Sequence, residues 1–205
     1  DDVAALFRGG YLHDVGKVGI PDEVLLKAGR LSDNEYRRIK DHPVIGDRLC
    51  GELRSLRHVR PIVRHHHERW DGAGYPDRLR GEEVPIGARI VGLVDSFDAI
   101  IHDRPYRAAL SQEDAVAELG AEAGRQFDPD LVDALRTIRT DDALWKQLQT
   151  GDELAQLALV EPADSVVSTD AAYLDLVAEA FARVIDAKSP WTYQHSTGVA
   201  EIAAA

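Results

Sequence analysis

The chain has 205 residues, 44% of them hydrophobic, so it contains enough apolar side chains to fill a core. A formal net charge of −12 argues against nonspecific binding to nucleic acid or to an anionic membrane, because both need a basic surface. The single cysteine, Cys50, excludes an intrachain disulfide framework. No apolar run approaches the roughly 20 residues that span a bilayer, and no basic leader opens the chain, so we expect a cytoplasmic protein.

The first predicted helix leads directly into a histidine and an aspartate. Apolar residues recur at helical spacing over residues 3–12 and are followed by His13 and Asp14. Glycines and a proline within residues 16–21 then end the helix. We therefore expect His13 and Asp14 near the end of a buried helix.

A capping box predicts the next helix. Ser32 and Glu35 have the spacing at which serine and glutamate side chains satisfy the first backbone amides of a helix. Apolar residues continue the helical pattern beyond this box, which predicts that His42 lies on a helix. Residues 60–69 predict a further helix, and the glycines and prolines of residues 71–83 predict a loop after it.

A predicted buried helix over residues 85–101 carries two carboxylates. Asp95 and Asp98 are three residues apart and so share one face of the helix. Because an unpaired buried charge is costly, each carboxylate needs a partner, and a metal ion suits both. A salt bridge to Arg104 or Arg107 is the alternative interpretation.

The rest of the chain is also predicted to be helical. Residues 111–119, which follow a serine cap, and residues 129–138 have helical patterns. Residues 139–168 are more polar and acidic, which predicts a short helix and a linker, and residues 169–205 contain a long amphipathic helix. No segment shows the convincing period-two alternation of a strand, so we predict an all-α fold.

Residues 65–76, HHHERWDGAGYP, carry the strongest chemical signal. Imidazole and carboxylate groups are ligands that suit iron, manganese and zinc. Any one of these histidines alone would be interpreted as a surface or core residue. Adjacent histidines followed by an acid are rarely needed for packing, however, and together with His13 and Asp14 they indicate a metal-dependent phosphodiesterase.

The joint pattern resembles the HD-GYP family, a bacterial branch of the HD phosphohydrolases that hydrolyses cyclic di-GMP. The resemblance extends through residues 13–21, 41–46, 66–76, 88–99 and 103–107, and it fades near residues 127–129. It implies an all-α HD-domain helical bundle with a di-metal centre. It also implies metal-dependent hydrolysis of cyclic di-GMP by a metal-bridged hydroxide, to linear pGpG, to GMP or to both.

Two divalent metal ions are implied by the resemblance, with iron or manganese preferred and zinc also suitable. One ion would be held by His13, Asp14, Asp95 and His195, and the other by Asp14, His42, His66 and His67. Two metals together activate a water, neutralise the phosphate and help the leaving oxygen. Asp14 is the candidate bridge, because a carboxylate can bind both metals.

Contacts with the substrate are also implied. The substrate-binding residues would be Lys17, on the scissile phosphate, and Tyr75, Arg104 and Arg107. Lys17 and Asp14 would also act in catalysis. Asp98 would orient the attacking water or a metal ligand, and Glu68 would orient His67. His65 is expected to be structural.

Residues 169–205 resemble the beginning of an HD-GYP domain, in which His195 would be the first metal ligand. In one interpretation, residues 1–138 form a domain without its usual first helices, and a truncated second copy follows in a longer signalling protein. In the other, the C-terminal helices fold back, or swap within a homodimer, so that His195 completes the site. Trp191 stands where relatives with a third metal carry an acid, which favours two metals.

Two other functions remain open. One is a catalytically inactive module that binds a cyclic dinucleotide or a protein partner, although the retained ligand residues argue against it. The other is a phosphohydrolase that acts on a different nucleotide. Residues 74–76 and 104–107 favour a cyclic dinucleotide over other nucleotides.

Overall fold

The computed structural model describes residues 2–103 and 108–139. Within those ranges the chain forms helices and loops without a β-strand, which confirms the predicted all-α fold. The α-helices are α1 (Asp2–Leu12), α2 (Asp22–Leu25), α3 (Asp33–Ile39), α4 (His42–Gly51), α5 (Arg60–His65), α6 (Ile86–Ile101), α7 (Gln112–Ala121) and α8 (Pro129–Arg139). Short 3₁₀ helices are formed by Val15–Gly19, Arg54–Leu56 and Gly81–Glu83. No helix in the described ranges is both long enough and apolar enough to cross a membrane.

The chain divides into two compact units, which among the described residues are formed mainly by residues 4–64 and by residues 65–139. In the first unit, the 3₁₀ helix Val15–Gly19 lies directly against α4. Gly16 permits this approach, because a Cβ atom on Gly16 would overlap the carbonyl oxygen of His42. The segment that follows Asp14 is therefore held against the first turn of α4.

A buried carboxylate joins α4 to α5 in the first unit. Asp47 accepts a hydrogen bond of 2.8 Å from Nε of Arg60 and one of 3.3 Å from Nη1 of Arg64. Removing an arginine would leave the poorly exposed Asp47 carboxylate with fewer partners, which is destabilising. The nearby apolar core contains Cys50, Val59 and Val63, with Leu12, Val15 and Leu56 packed against them.

The capping box of α3 is confirmed. The Ser32 hydroxyl accepts the backbone N–H of Glu35, and the Glu35 carboxylate accepts the backbone N–H of Ser32. Lys27 also donates to this carboxylate at 2.7 Å. Helix α3 therefore begins where the sequence predicted it.

The core of the second unit is formed where α6, α7 and α8 pack together. Its buried members are Leu93, Phe97, Ile100, Ala115, Leu119, Phe127, Val132 and Leu135. Arg89 of α6 donates a 2.6 Å hydrogen bond to Asp128, just before α8 begins. The backbone N–H groups of Trp70 and Asp71 donate to the carbonyl oxygens of Gln126 and Arg125, at 3.1 and 2.8 Å. These bonds hold the loop after α5 to the end of the α7–α8 connection.

Three predicted helices differ from the observed ones. The helix that begins at the capping box of Ser32 was expected to continue through His42, but α3 ends at Ile39 and His42 begins a separate helix, α4. Helix α5 ends at His65, whereas the prediction continued it to residue 69. The backbone donors at Trp70 and Asp71 are instead satisfied by the α7–α8 connection, a long-range partner that local periodicity does not reveal. Helix α1 was expected to be buried, but its Val3 and Tyr11 side chains are 74% and 57% exposed.

Several predictions fall outside the described residues. The roles predicted for Arg104, Arg107 and His195 are among them. The others are the short helix and linker predicted for residues 139–168, apart from residue 139 itself, and the start of a second domain predicted for residues 169–205. The two interpretations of the C-terminal segment therefore stay predictions.

Candidate metal centre

Asp14 lies at the centre of a cluster of basic side chains in the first unit. Its Oδ2 atom accepts a hydrogen bond from Nζ of Lys17 and lies 3.4 Å from Nε2 of His13. Its Oδ1 atom lies 3.2 Å from Nε2 of His42, whose side chain is only 1% exposed. The fold therefore brings together the predicted ligands His13, Asp14 and His42, with Lys17 beside them.

The Nδ1 atoms of His13 and His42, on the side of each ring away from Asp14, contact backbone carbonyl oxygens. Nδ1 of His13 lies 2.6 Å from the carbonyl oxygen of Gly10, and Nδ1 of His42 lies 2.7 Å from that of Ile39. A carbonyl oxygen only accepts, so each Nδ1 carries the hydrogen and donates it. The Nε2 atoms therefore face Asp14 either as N–H groups of charged rings or as bare lone pairs, and bare lone pairs are metal ligands.

The distance from Asp14 to each histidine fits a cation that binds both residues of the pair. Two ligand atoms bound at about 2.1 Å to one ion lie about 3.0 to 3.4 Å apart, because ligand angles are about 90° in octahedral and about 109° in tetrahedral coordination. The 3.2 and 3.4 Å separations from Asp14 to the two Nε2 atoms lie in this range. They exceed the roughly 2.7 to 2.9 Å of a charge-assisted hydrogen bond. The donor set and its spacing thus suit a divalent metal.

The electrostatics of Asp14 keep it ionised. Burial alone would raise the pKa of Asp14, but the neighbouring His13, His42 and Lys17 side chains outweigh burial and hold that pKa well below its usual range. A metal ligand must be deprotonated, so Asp14 is ready to bind a cation without first losing a proton.

A pair of histidines in the second unit follows α5. His66 is 2% exposed, and its ring centroid lies 4.1 Å from that of His67. Helix α6 passes close to this segment at Gly92, where a Cβ atom would come within 2.5 Å of the carbonyl oxygen of His66. Asp95 lies one turn further along α6 and is partly buried.

Comparison with known protein families shows that the candidate metal ligands lie within a single known domain type. The sequence model of a family described as the HD domain matches residues 2–131, which include both the His13 and Asp14 pair and the His66 and His67 pair. The chain belongs to the HD domain family.

Known relatives of this HD domain include cyclic dinucleotide phosphodiesterases. A cyclic di-GMP phosphodiesterase from Vibrio cholerae is 42% identical over 143 residues, which cover 66% of this chain and 29% of the relative. A cyclic di-GMP phosphodiesterase response regulator from Xanthomonas campestris is 46% identical over 137 residues, which cover 66% of this chain and 36% of the relative. The chain thus spans about a third of the length of these two curated relatives. Their similarity confirms the family resemblance that the motifs indicated.

A solved structure has the same fold as this HD domain. The crystal structure of a cyclic GMP-AMP specific phosphodiesterase from Vibrio cholerae superposes with a TM-score of 0.71 at 25% sequence identity. The match covers 96% of this chain and 52% of that one. HD domain membership, together with the histidine and aspartate residues at the centre, indicates divalent metal binding.

Asp98 was expected to be a buried carboxylate beside Asp95, and this expectation is wrong. The side chain of Asp98 is 58% exposed and lies 3.1 Å from Nδ1 of His102, one turn further along the HD domain's helix α6. The exposure of Val94, at 51%, shows that this side of α6 faces solvent. The spacing of four residues between an acid and a histidine is the signal that would have predicted the pair.

Glu68 was expected to orient His67, but its observed partners lie in the following loop. The Glu68 carboxylate accepts the backbone N–H of Asp77 at 2.6 Å, and its side chain has no exposed surface. Burial raises the pKa of Glu68, and amide donors of the loop only partly offset that effect. His65, expected to be structural, has its Nδ1 atom 3.5 Å from Oδ2 of Asp77. Sequence reasoning gave no role to Asp77, because nothing in its local pattern indicates these contacts.

Tyr75 was expected at the substrate, and the structure places it against a histidine. Its ring is stacked on that of His67, with centroids 4.9 Å apart and ring planes inclined by 29°. Its backbone N–H donates to the carbonyl oxygen of His67 at 3.2 Å. Tyr75 is therefore an immediate neighbour of a predicted metal ligand.

Proposed function

We propose that this HD domain hydrolyses a phosphodiester bond of cyclic di-GMP in a metal-dependent reaction. The observation that carries the proposal is the Asp14 carboxylate with two histidine Nε2 atoms 3.2 and 3.4 Å away and Lys17 beside it. The curated relatives that are named cyclic di-GMP phosphodiesterases, at 42% and 46% identity, support the choice of substrate.

Two groups of residues are proposed to bind the metals. As the resemblance implies, His13, Asp14 and Asp95 would hold one ion, and Asp14, His42, His66 and His67 would hold the other. His195 is proposed from the sequence alone as the remaining ligand of the first ion, and it lies outside the described residues. Asp14 would then be the shared ligand. Iron or manganese suits this mixture of imidazole and carboxylate, and zinc is also suitable.

The remaining chemistry is assigned to the chain's own side chains. When bound, the metal ions lower the pKa of water and neutralise charge on the phosphate. Lys17 is 40% exposed and pairs with Asp14, so its ammonium group can hold a phosphate oxygen at the edge of the centre. Arg104 and Arg107 are proposed from the resemblance as further contacts to the substrate. The resemblance also implies that Asp98 orients water, but its exposed position beside His102 does not support that role.

A second candidate substrate is 3′3′-cyclic GMP-AMP. The solved structure that matches this chain with a TM-score of 0.71 is described as a phosphodiesterase specific for cyclic GMP-AMP. A relative from Vibrio cholerae named 3′3′-cGAMP-specific phosphodiesterase 2 is also 41% identical over 126 residues. The two substrates share the phosphodiester ring, so the metal centre itself does not distinguish them.

The test measures metal content and hydrolysis on the same samples of the full chain, prepared without oxygen and loaded with iron or manganese. We expect about two ions per chain, as in a two-metal site, and turnover of cyclic di-GMP above that of cyclic GMP-AMP. Asp14→Asn keeps the shape of the side chain but should lower turnover at least about 100-fold, since even weaker perturbations of metal ligands have effects of 10-fold or more.

His58→Ala is the matched control, because His58 is an exposed histidine outside the centre. It should leave metal content and hydrolysis unchanged. His195→Ala is expected to lower the metal content by one ion. A chain that binds metal but cleaves neither dinucleotide would contradict the proposed activity and favour a binding module. If Asp14→Asn left metal content unchanged, the ligand assignment itself would be wrong.

A further inference from the structure

The loop that carries Gly74, Tyr75 and Pro76 folds back onto the segment that contains His66 and His67. Gly74 permits the close approach, because a Cβ atom on Gly74 would overlap the backbone of Glu68 and Arg69. The next residue, Tyr75, then donates its backbone N–H to the carbonyl oxygen of His67 at 3.2 Å. The loop is therefore attached to the histidine segment through its main chain.

The aromatic ring of Tyr75 continues this contact onto the side chain of His67. The two ring centroids are 4.9 Å apart, and the 29° between the ring planes is an arrangement close to parallel. A stacked ring of this kind restricts rotation of the imidazole about its χ2 angle, since tilting the imidazole would break the contact. The ring of His66 lies 4.1 Å from His67, so His67 contacts two aromatic neighbours.

Glu68 anchors the other end of the same loop. Its side chain has no exposed surface, and it accepts the backbone N–H of Asp77 at 2.6 Å. Asp77 is only two residues beyond Tyr75, so this bond limits how far the tyrosine can move away from His67. The adjacent residues His67 and Glu68 are thus linked to the two ends of the segment 75–77.

We propose that Tyr75 is a positioning residue that holds the imidazole of His67 in its metal-binding orientation, with Glu68 as the anchor that keeps Tyr75 in place. The inference rests on the proposed function, because it requires His67 to be a metal ligand. It assigns to Tyr75 a role through His67, whereas the resemblance implied direct contact with the substrate. Because the stacking uses the ring and not the hydroxyl, phenylalanine should replace tyrosine in this role.

The test measures the Kd for Mn²⁺ in the full chain. Tyr75→Ala should weaken Mn²⁺ binding about 10-fold or more, the usual effect of removing a group that orients a metal ligand. Tyr75→Phe keeps the ring, so its Kd for Mn²⁺ should stay within about two-fold of the original value, well inside that 10-fold effect. Tyr36→Ala is the matched control, since Tyr36 is 51% exposed on α3, and it should leave the Kd unchanged.

A double variant tests the role of Glu68. If Glu68 acts only by holding Tyr75, then Glu68→Ala combined with Tyr75→Ala should weaken Mn²⁺ binding little more than Tyr75→Ala alone. Independent contributions would instead multiply, as they do for uncoupled sites. Thermal unfolding and circular dichroism of each variant identify any loss of the fold, and Tyr75→Phe separates loss of the ring from loss of the hydroxyl.

His67→Ala separates failure of this inference from failure of the proposed function. If His67→Ala leaves Mn²⁺ binding unchanged, the proposed ligand set is wrong. If His67→Ala removes an ion while Tyr75→Ala retains the original Kd, the positioning role alone is wrong. A Tyr75→Ala variant that keeps its Mn²⁺ affinity and raises only the KM for cyclic di-GMP would show that Tyr75 contacts the substrate instead.

Discussion

Nε2 of His42 lies 3.2 Å from Oδ1 of Asp14, although the two residues are separated by 27 intervening positions in the chain. The contact depends on the main chain around it, because Gly16 lets the segment after Asp14 lie against the first turn of α4. Nδ1 of His42 is held by the carbonyl oxygen of Ile39, which directs Nε2 at Asp14. Backbone packing thus sets the relative positions of the proposed ligands His42 and Asp14.

Gly16→Ala should disrupt this arrangement. The added Cβ atom would overlap the carbonyl oxygen of His42, which belongs to the main chain and cannot rotate away. We expect a loss of about 1 to 3 kcal/mol in the free energy of unfolding, as for other overpacked sites, together with weaker metal binding. Chemical denaturation and metal titration measure the two effects.

Gly10→Ala is the control for this substitution. Gly10 lies within α1, and a Cβ atom there would meet nothing within 4 Å. Alanine in a helix interior is favoured over glycine by up to about 1 kcal/mol, so this variant should be as stable as the original chain or slightly more stable. Equal destabilisation by the two substitutions would contradict the role of Gly16.

Asp47→Ala should destabilise the first unit. The side chain of Asp47 is 13% exposed and accepts hydrogen bonds from Arg60 and Arg64, which are themselves 43% and 30% exposed. Because solvent screens the arginines, we expect a loss of about 1.5 to 3 kcal/mol in the free energy of unfolding, the range for hydrogen bonds to charged groups. Asp133→Ala removes a comparable pair with Arg136, but Asp133 is 71% exposed, so its effect should stay below about 1 kcal/mol.

Asp71 should contribute to stability in a manner that depends on pH. Two hydrogen bonds from the Arg69 guanidinium, at 3.1 and 2.8 Å, lower the pKa of Asp71 to about 2. A carboxylate with a lowered pKa stabilises the folded state above its unfolded pKa of about 3.9, and the contribution is lost as the pH falls to about 2.

Comparison of the original chain with Asp71→Asn tests this dependence. The difference in unfolding free energy between the two proteins should be constant above about pH 5 and should shrink as the pH falls below about 4. Denaturant titrations at a series of pH values measure it, and contributions common to both proteins cancel. A difference that stays constant down to pH 2 would show that the ion pair between Arg69 and Asp71 adds no stability.

Metal removal provides a prediction for the whole centre. A ligand that binds only the folded chain raises the free energy of unfolding, and this increase grows with the ratio of the ligand concentration to its Kd. Addition of a chelator should therefore lower the Tm of the original chain and leave the Tm of Asp14→Asn nearly unchanged. Equal shifts in both proteins would show that the stabilising metal binds elsewhere.

Features that depend on near neighbours in the chain were predicted correctly. The capping box of Ser32 and Glu35 and the helix that contains Asp95 follow from local spacing, and the structure has them. His42 is helical as predicted, but it begins the separate helix α4. Spacing did not predict that Asp98 faces solvent or that α5 ends at His65, because each depends on what packs against the helix. The same limitation applies to Glu68, whose buried partner lies nine residues away in a loop.

The sequence by itself determined the fold class and the residue types available to the proposed centre, because helical periodicity and the succession of histidines and carboxylates are properties of the chain. Only the tertiary structure decided which atoms meet. Asp14 contacts His42 because Gly16 has no side chain, and Tyr75 stacks on His67 because Gly74 and Glu68 hold its loop in place. These are steric and hydrogen-bonding relations between residues that helical periodicity does not bring together, and local periodicity contains no information about such distances.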